Sequence, residues 1–286
     1  MKLSKKFLKI VSVILLTLII AFYILLVMFS APKSNDEVIE EFAESIVQPT
    51  LTINSYKNFE YRVVGMQREI DSSKLNLVFI HGAIGSSLDF KKYMSDSLLH
   101  TKANMISYDR VGYNYEDKHL AQKTLQFEIE VLMDVVKDLD PNKTILVGYS
   151  YGGPIALAVK EKYRSIVLLA PAVYSEVEPM PWAINLYKWK ATRWLFPNVW
   201  KSASEEKLSH VQELKKYESN WSKNLSSTIV SIHGDEDGIV PYENSLFLEK
   251  QFPEEQFQLV TIPGAGHSLV WSEFDFIKSE FLKLLD

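Results

Sequence analysis

The chain has no cysteine in 286 residues. That one absence excludes disulfides, thiol nucleophiles and thiolate-ligated zinc together. Positive charge is also short: 31 Lys and Arg stand against 36 Asp and Glu, a formal net charge of −5. Four of the lysines, Lys2, Lys5, Lys6 and Lys9, fall in the first 30 residues, which hold no acid. The remainder is therefore more acidic than the whole. No basic stripe is visible, and the aromatics do not interleave with Lys or Arg in a binding pattern, so nucleic acid is not an expected partner. A P-loop, a dinucleotide fingerprint, an evident metal site and an internal repeat are missing too. No cofactor and no metal are expected.

What is present begins with an apolar run. Ile10 to Phe29 is interrupted only by Ser12, Thr17 and Tyr23. About 20 residues at ~1.5 Å each span about 30 Å, the thickness of a bilayer core. The lysines before it place that end in the cytoplasm. We read residues 1–30 as an uncleaved signal anchor, with the rest of the chain on the extracytoplasmic side of a cell membrane. A cleaved signal peptide is the rival reading. Against it stand the length of the run, the lack of a small-x-small site and Pro32 after Ala31. A buried helix is the third reading. Residues 31–50 form a polar, acidic stalk. In it Val38, Phe42 and Ile46 recur at helical spacing, so a short helix can lie against the domain or the membrane surface.

Residues 51–286 read as one domain. Leu51 to Gly65 alternates like an opening hairpin. Strands are expected at about 75–81, 103–109, 143–149, 165–170, 228–233 and 257–262. Helical patterns lie at about 124–139, 153–162, 243–252 and 272–285. This alternation predicts a mostly parallel sheet with helices on both faces.

The chemistry is concentrated at strand ends. Gly148-Tyr149-Ser150-Tyr151-Gly152 follows the apolar run Thr144–Val147 and precedes a helix-like run. A Ser between two glycines at a strand-to-helix turn is a nucleophile elbow: the tight turn lifts the hydroxyl, and the helix N-terminus behind it faces the site. The acid and then the histidine follow in order. Thr228–His233 runs into an acidic loop holding Asp235, Glu236 and Asp237. Phe257–Ile262 runs into a glycine loop ending in His267. Upstream, Leu75–Ile80 leads to His81-Gly82-Ala83, the place for a second oxyanion donor.

These motifs, with Asp109-Arg110-Val111-Gly112-Tyr113, make the chain resemble the α/β-hydrolase superfamily, in its single-cap serine esterase and lipase-like branch. The resemblance covers roughly residues 50–286. It implies the α/β-hydrolase fold, with a helical cap inserted at about 174–226. It also implies Ser150 as nucleophile, His267 as general base and an acid to orient it. Asp237 is our choice for the acid, four residues before Pro241, with Asp235 and Glu236 as rivals. The backbone N–H groups of Ala83 and Tyr151 would form the oxyanion hole. The family often has Gly-Tyr-Gly-x-Ser where this chain reads Gly112-Tyr113-Asn114-Tyr115-Glu116. Asn tolerates positive φ, so the turn can survive. Asp109 and Arg110 are expected to fix neighbouring loops, and His81 to organise its own.

Five of six tryptophans, Trp182, Trp189, Trp194, Trp200 and Trp221, fall in the cap segment. One reading makes them an apolar acyl-binding cleft, with Trp182 and Trp189 as substrate-binding residues. Another makes them packing between cap and core, and a third puts them at the membrane surface. The expected activity is cofactor-free hydrolysis of carboxylic esters with apolar, lipid-like acyl groups. The alternatives are amide, lactone or carbon–carbon bond hydrolysis by the same triad, or a membrane-tethered binding protein without activity.

Overall fold

In the computed structural model, residues 5–115, 121–222 and 226–286 are described. The strands are β1 (Thr50–Tyr56), β2 (Phe59–Gly65), β3 (Leu75–Ile80), β4 (Ala103–Tyr108), β5 (Thr144–Tyr149), β6 (Ser165–Leu169), β7 (Thr228–Gly234) and β8 (Phe257–Ile262). They form one sheet in the order β1-β2-β4-β3-β5-β6-β7-β8. The β1–β2 and β2–β4 pairings are antiparallel and every other pairing is parallel.

The middle strands are apolar throughout because both faces are covered. Val78 and Ile80 of β3 join Leu146, Ile166 and Leu168 in one core layer. Leu77 and Phe79 join Ile145, Val147 and Val167 in the other. The helices are α1 (Lys5–Phe29), α2 (Asn35–Glu41), α3 (Lys91–Met94), α4 (Ser97–Lys102), α5 (Leu125–Val136), α6 (Gly152–Leu157), α7 (Ile184–Lys188), α8 (Asn198–Tyr217), α9 (Glu243–Gln251), α10 (Leu269–Ser272) and α11 (Phe274–Leu285). Val131, Leu132 and Ile155 of α5 and α6 pack on the first layer. Ile277 and Phe281 of α11 pack on the second. This is the α/β-hydrolase fold expected from the sequence.

Two helices differ from the sequence pattern. The run at 153–162 is helical only to Leu157. Beyond it the chain turns, so that Val159 and Tyr163 fill the core and the Tyr163 N–H reaches Ser227 Oγ at 2.9 Å. The run at 272–285 is divided between α10 and α11 at Glu273. The cap between β6 and β7 contains the 20-residue α8, which hydrophobic periodicity does not announce.

Helix α1 is long and apolar enough to cross a membrane, and none of its apolar window is buried in the protein. Helix α2 lies against the domain, with Val38 and Phe42 fully buried and Ile46 exposed. Arg62 holds the same segment. Its guanidinium is buried against Asp109, with Nε 2.8 Å from Oδ2. It also donates to the carbonyls of Lys33 and Asn114. Asn114 takes φ 45°, as its place in the turn requires. Removing one partner of a buried pair strands the other charge, at ~3–5 kcal/mol. Asp109→Asn is therefore expected to lower stability by about that amount in urea unfolding of the detergent-solubilised chain. A loss below about 1 kcal/mol would mean that water reaches Arg62.

Candidate active site

The elbow has the backbone its sequence implies. Ser150 sits at φ 53°, a region that side chains other than Gly occupy only under constraint. The flanking glycines are steric necessities. A Cβ at Gly148 would stand 2.4 Å from Gly152 O, and one at Gly152 would stand 2.1 Å from Ile80 O. The turn is held by Ser150 N–H donating to Leu169 O and by two N–H groups, of Gly153 and Ala172, donating to Ser150 O.

The three residues chosen from the sequence meet. His267 Nε2 lies 3.0 Å from Ser150 Oγ, and His267 Nδ1 lies 2.7 Å from Asp237 Oδ2. With Asp237 ionised, Nδ1 carries the proton and Nε2 is free to accept from the serine. Asp237 Oδ1 accepts the N–H groups of Ile239 and Val240. Burial alone would raise this carboxyl. Hydrogen bonds with His233 and His267 outweigh burial and hold it well below the usual carboxylate range. Its rivals have other places: Asp235 accepts the Gly264 N–H at 2.7 Å, and Glu236 is exposed on the loop. Tyr149 seats the histidine, stacking on its ring and donating from its hydroxyl to His267 O.

The His81 loop lies directly against the serine. A Cβ at Gly82 would come within 2.9 Å of Ser150 Cβ. His81 is buried, and burial beside Arg110 lowers its pKa well below the ordinary histidine value. Its Nε2 accepts the Arg110 N–H, so its Nδ1–H donates to Gly82 O at 2.7 Å. Arg110 Nη1 donates to the same carbonyl at 3.2 Å. A peptide is planar and trans, so its C=O and N–H point in opposite directions. Fixing Gly82 O on one side directs the Ala83 N–H to the other. Ile84, a β-branched residue at φ 52°, shows how tightly this loop is constrained. Neither the Ala83 nor the Tyr151 N–H has a hydrogen-bond acceptor among the described residues.

Arg110 fixes its loop as expected from the sequence, but its partners Glu128 and Glu206, with His210 and Glu178, were not singled out there. Arg110 is buried between Glu128 of α5 and Glu206 of α8, with its guanidinium over the rings of Tyr113 and Tyr151. Burial drives Glu206 up to about 7, against the pull of Arg110 and with the help of the Glu128 charge. His210 packs against the Tyr151 ring and donates from Nε2 to Ala172 O. Glu178 lies beside it and pairs with Lys207; burial raises its carboxyl above the ordinary range, against Lys207 and the His267 charge. Trp182 and Trp189 are not brought to the triad. They are 77% and 64% exposed, and neither shares a hydrogen bond or ring contact with Ser150, Asp237 or His267. Among the described residues no three His, Asp or Glu side chains group as a metal would require.

The model of the alpha/beta hydrolase family matches residues 77–276, which takes in every strand from the middle of β3 to β8. The chain belongs to that family. It is 33% identical over 136 residues to a proline iminopeptidase of Saccharolobus solfataricus, covering 46% of this chain and 41% of that one. It spans about half the length of the curated relatives it matches. A solved structure named as a lipase, from Acinetobacter baumannii AYE, has a TM-score of 0.65 at 16% identity, with 89% of this chain and 96% of that one covered. A membrane phospholipase A has a TM-score of 0.61 at 16% identity, with 99% of each chain covered.

His210 gives this neighbourhood a measurable signature. Burial, helped by the Lys207 charge, lowers its pKa to about 3, whereas in the unfolded chain it is ~6.5. Between those values the unfolded state binds the extra proton, so stability falls as pH drops through that window. His210→Gln keeps a donor for Ala172 O and removes the titration. Urea unfolding from pH 7 to 4 should show the wild type losing more stability than the variant, by on the order of a few kcal/mol. Parallel pH curves would show that His210 is solvated.

Proposed function

We propose that the chain is a serine hydrolase that cleaves carboxylic esters, with apolar acyl groups as its substrate class. The observation that carries this reading is the unbroken relay Ser150 Oγ, His267 Nε2, His267 Nδ1, Asp237 Oδ2, with contacts of 3.0 and 2.7 Å. Ser150 Oγ attacks the ester carbonyl while His267 Nε2 takes its proton. The carbonyl π pair moves to oxygen. The N–H groups of Ala83 and Tyr151 receive that oxyanion, each worth ~2.7–4 kcal/mol in the transition state. The tetrahedral adduct collapses, the C–O bond to the alcohol breaks, and His267 returns the proton to the leaving oxygen. Water then attacks the acyl-serine by the same route, releasing the acid and restoring Ser150. Asp237 stays ionised and stabilises the imidazolium.

Arg110 is a positioning residue in this scheme. With His81 it fixes the Gly82 carbonyl and hence the direction of the Ala83 N–H. Trp182 and Trp189 belong to the substrate's approach rather than to a covered acyl cleft, since their rings are exposed. A second reading, amide hydrolysis by the same triad, draws on the partial identity to a proline iminopeptidase.

A fluorophosphonate probe and a panel of p-nitrophenyl esters, with peptide amides alongside, test both readings. Ser150→Ala should abolish labelling and lower turnover by several orders of magnitude. Asp237→Asn, which leaves His267 in the wrong tautomer, should cost about 10⁴ in kcat, while Asp235→Asn should retain most activity. Amide turnover above ester turnover would favour the second reading. Absence of both labelling and turnover in the wild type would leave a binding protein of this fold.

A further inference from the structure

The outer face of the cap is unlike the rest of the surface. Trp182, Trp189 and Trp194 are 77%, 64% and 71% exposed, and Met180 and Leu186 are exposed in the same segment. Residues 179–204 also hold Lys188, Lys190, Arg193 and Lys201 and no Asp or Glu, in a chain whose net charge is −5. The expectation that no aromatic-basic pattern for nucleic acid occurs is untouched by this short stretch, whose bias is local and diluted by the acidic remainder. Lys188 and Lys190 flank Trp189 and are themselves exposed.

Exposed tryptophans are out of place in water and match the headgroup region of a bilayer, where the ring is half-immersed. Cations beside them match anionic headgroups. The position agrees. Helix α1 has 25 residues, about 37 Å at ~1.5 Å each, against a hydrocarbon core of ~30 Å. Its last turn therefore reaches headgroup level. There Trp200 Nε1, at the start of α8, donates to Ser30 Oγ at 2.7 Å. A cavity of about 280 Å³ lies at the same junction, between Phe29 and Ala31, Ile84 and Gly85 of the His81 loop, and Val199 of the cap.

We propose that the cap face bearing Trp182, Trp189 and Trp194, with Lys188 and Lys190, docks on an anionic lipid surface. The lipid it meets is on the same side of the bilayer as the end of α1. The orientation rests on reading α1 as a bilayer-spanning anchor. Docking brings the cavity beside Ile84, which Lys33, Glu41, Asp89 and Lys91 also line, to the lipid boundary.

The test uses the full chain in vesicles of phosphatidylcholine, with or without phosphatidylglycerol, including bromine-labelled lipid as a contact quencher of tryptophan fluorescence. Wild type should be quenched, more strongly with phosphatidylglycerol. Replacing Trp182, Trp189 and Trp194 together by Phe should remove most of the quenching. Lys188→Gln with Lys190→Gln should lower turnover of a vesicle-embedded ester by on the order of thirtyfold in anionic vesicles, at ~1 kcal/mol for each of the two surface cations. The same double variant should leave turnover of a soluble acetate ester unchanged. Quenching that the triple variant retains in full would overturn the proposal. So would loss of quenching together with a concentration-dependent cross-link between cap faces, which would make a second copy the occupant. Resistance of the chain to carbonate extraction reads the α1 anchor separately. An extracted chain whose cap is still quenched would sink the anchor and leave the docking face standing.

Discussion

The buried guanidinium of Arg110 is the constraint on which the candidate site depends. Its partners come from three places: Glu128 on α5, Glu206 on α8 of the cap, and Gly82 O in the loop beside Ser150. Taking a guanidinium out of water costs several kcal/mol, which only close carboxylates can offset. Here two carboxylates face one cation, an excess of negative charge in a dry setting. Glu206 answers by rising to about 7, and the Tyr113 hydroxyl donates to it. Buried ion pairs as a class add little net stability over apolar replacements. What this one supplies is registry: the cap helix, the α5 helix and the peptide that carries the Ala83 N–H must take their places together. A displacement of α8 would leave Arg110 buried with fewer partners.

Strain is placed where that registry can support it. Ser150 and Ile84 both occupy the left-handed region, at φ 53° and 52°, on the two loops that flank the expected oxyanion position. Conformations of this kind cost of order 1–3 kcal/mol each and persist only when their surroundings fix them. The elbow is fixed by three backbone hydrogen bonds around Ser150. The His81 loop is fixed by the His81 and Arg110 contacts to Gly82 O. The two supports are joined, since Tyr151, next to Ser150, lies under the Arg110 guanidinium and against His210.

Much of this could be read in the sequence because the physics was local. Strands buried on both faces write themselves as apolar runs, and the Gly148 constraint comes from Gly152, four residues on, although Gly152 itself answers to Ile80 O of a distant strand. Asp237 was chosen over Asp235 and Glu236 because the resembling family places its carboxylate four residues before a proline, and it is the one of the three that meets His267. Helix α8 could not be read in this way. Its inward face presents Glu206, His210 and Glu213, so hydrophobic periodicity has nothing to register. Glu205 and Glu206 are adjacent in sequence. One pairs with Lys123, which is largely exposed, and the other is buried on Arg110, a difference only the tertiary structure makes. The tryptophans failed for the opposite reason. Composition identifies them as large and apolar but does not say which side of the cap they take.

The cap reverses the usual order of a soluble layer. Its inner side is lined by Glu178, Glu206, His210 and Glu213, all but fully buried in their side chains. Its outer side presents Trp182, Trp189 and Trp194. In water this is unfavourable twice over, because polar groups pay desolvation inside while aromatic surface stays wet outside. The inner half is compensated within the chain, where Arg110, Lys207, Lys216 and the backbone N–H of Leu125 meet the carboxylates. The outer half has no such compensation from the described residues. The lipid surface proposed for this face would supply that compensation to the tryptophans, while the inner half needs none beyond the chain itself.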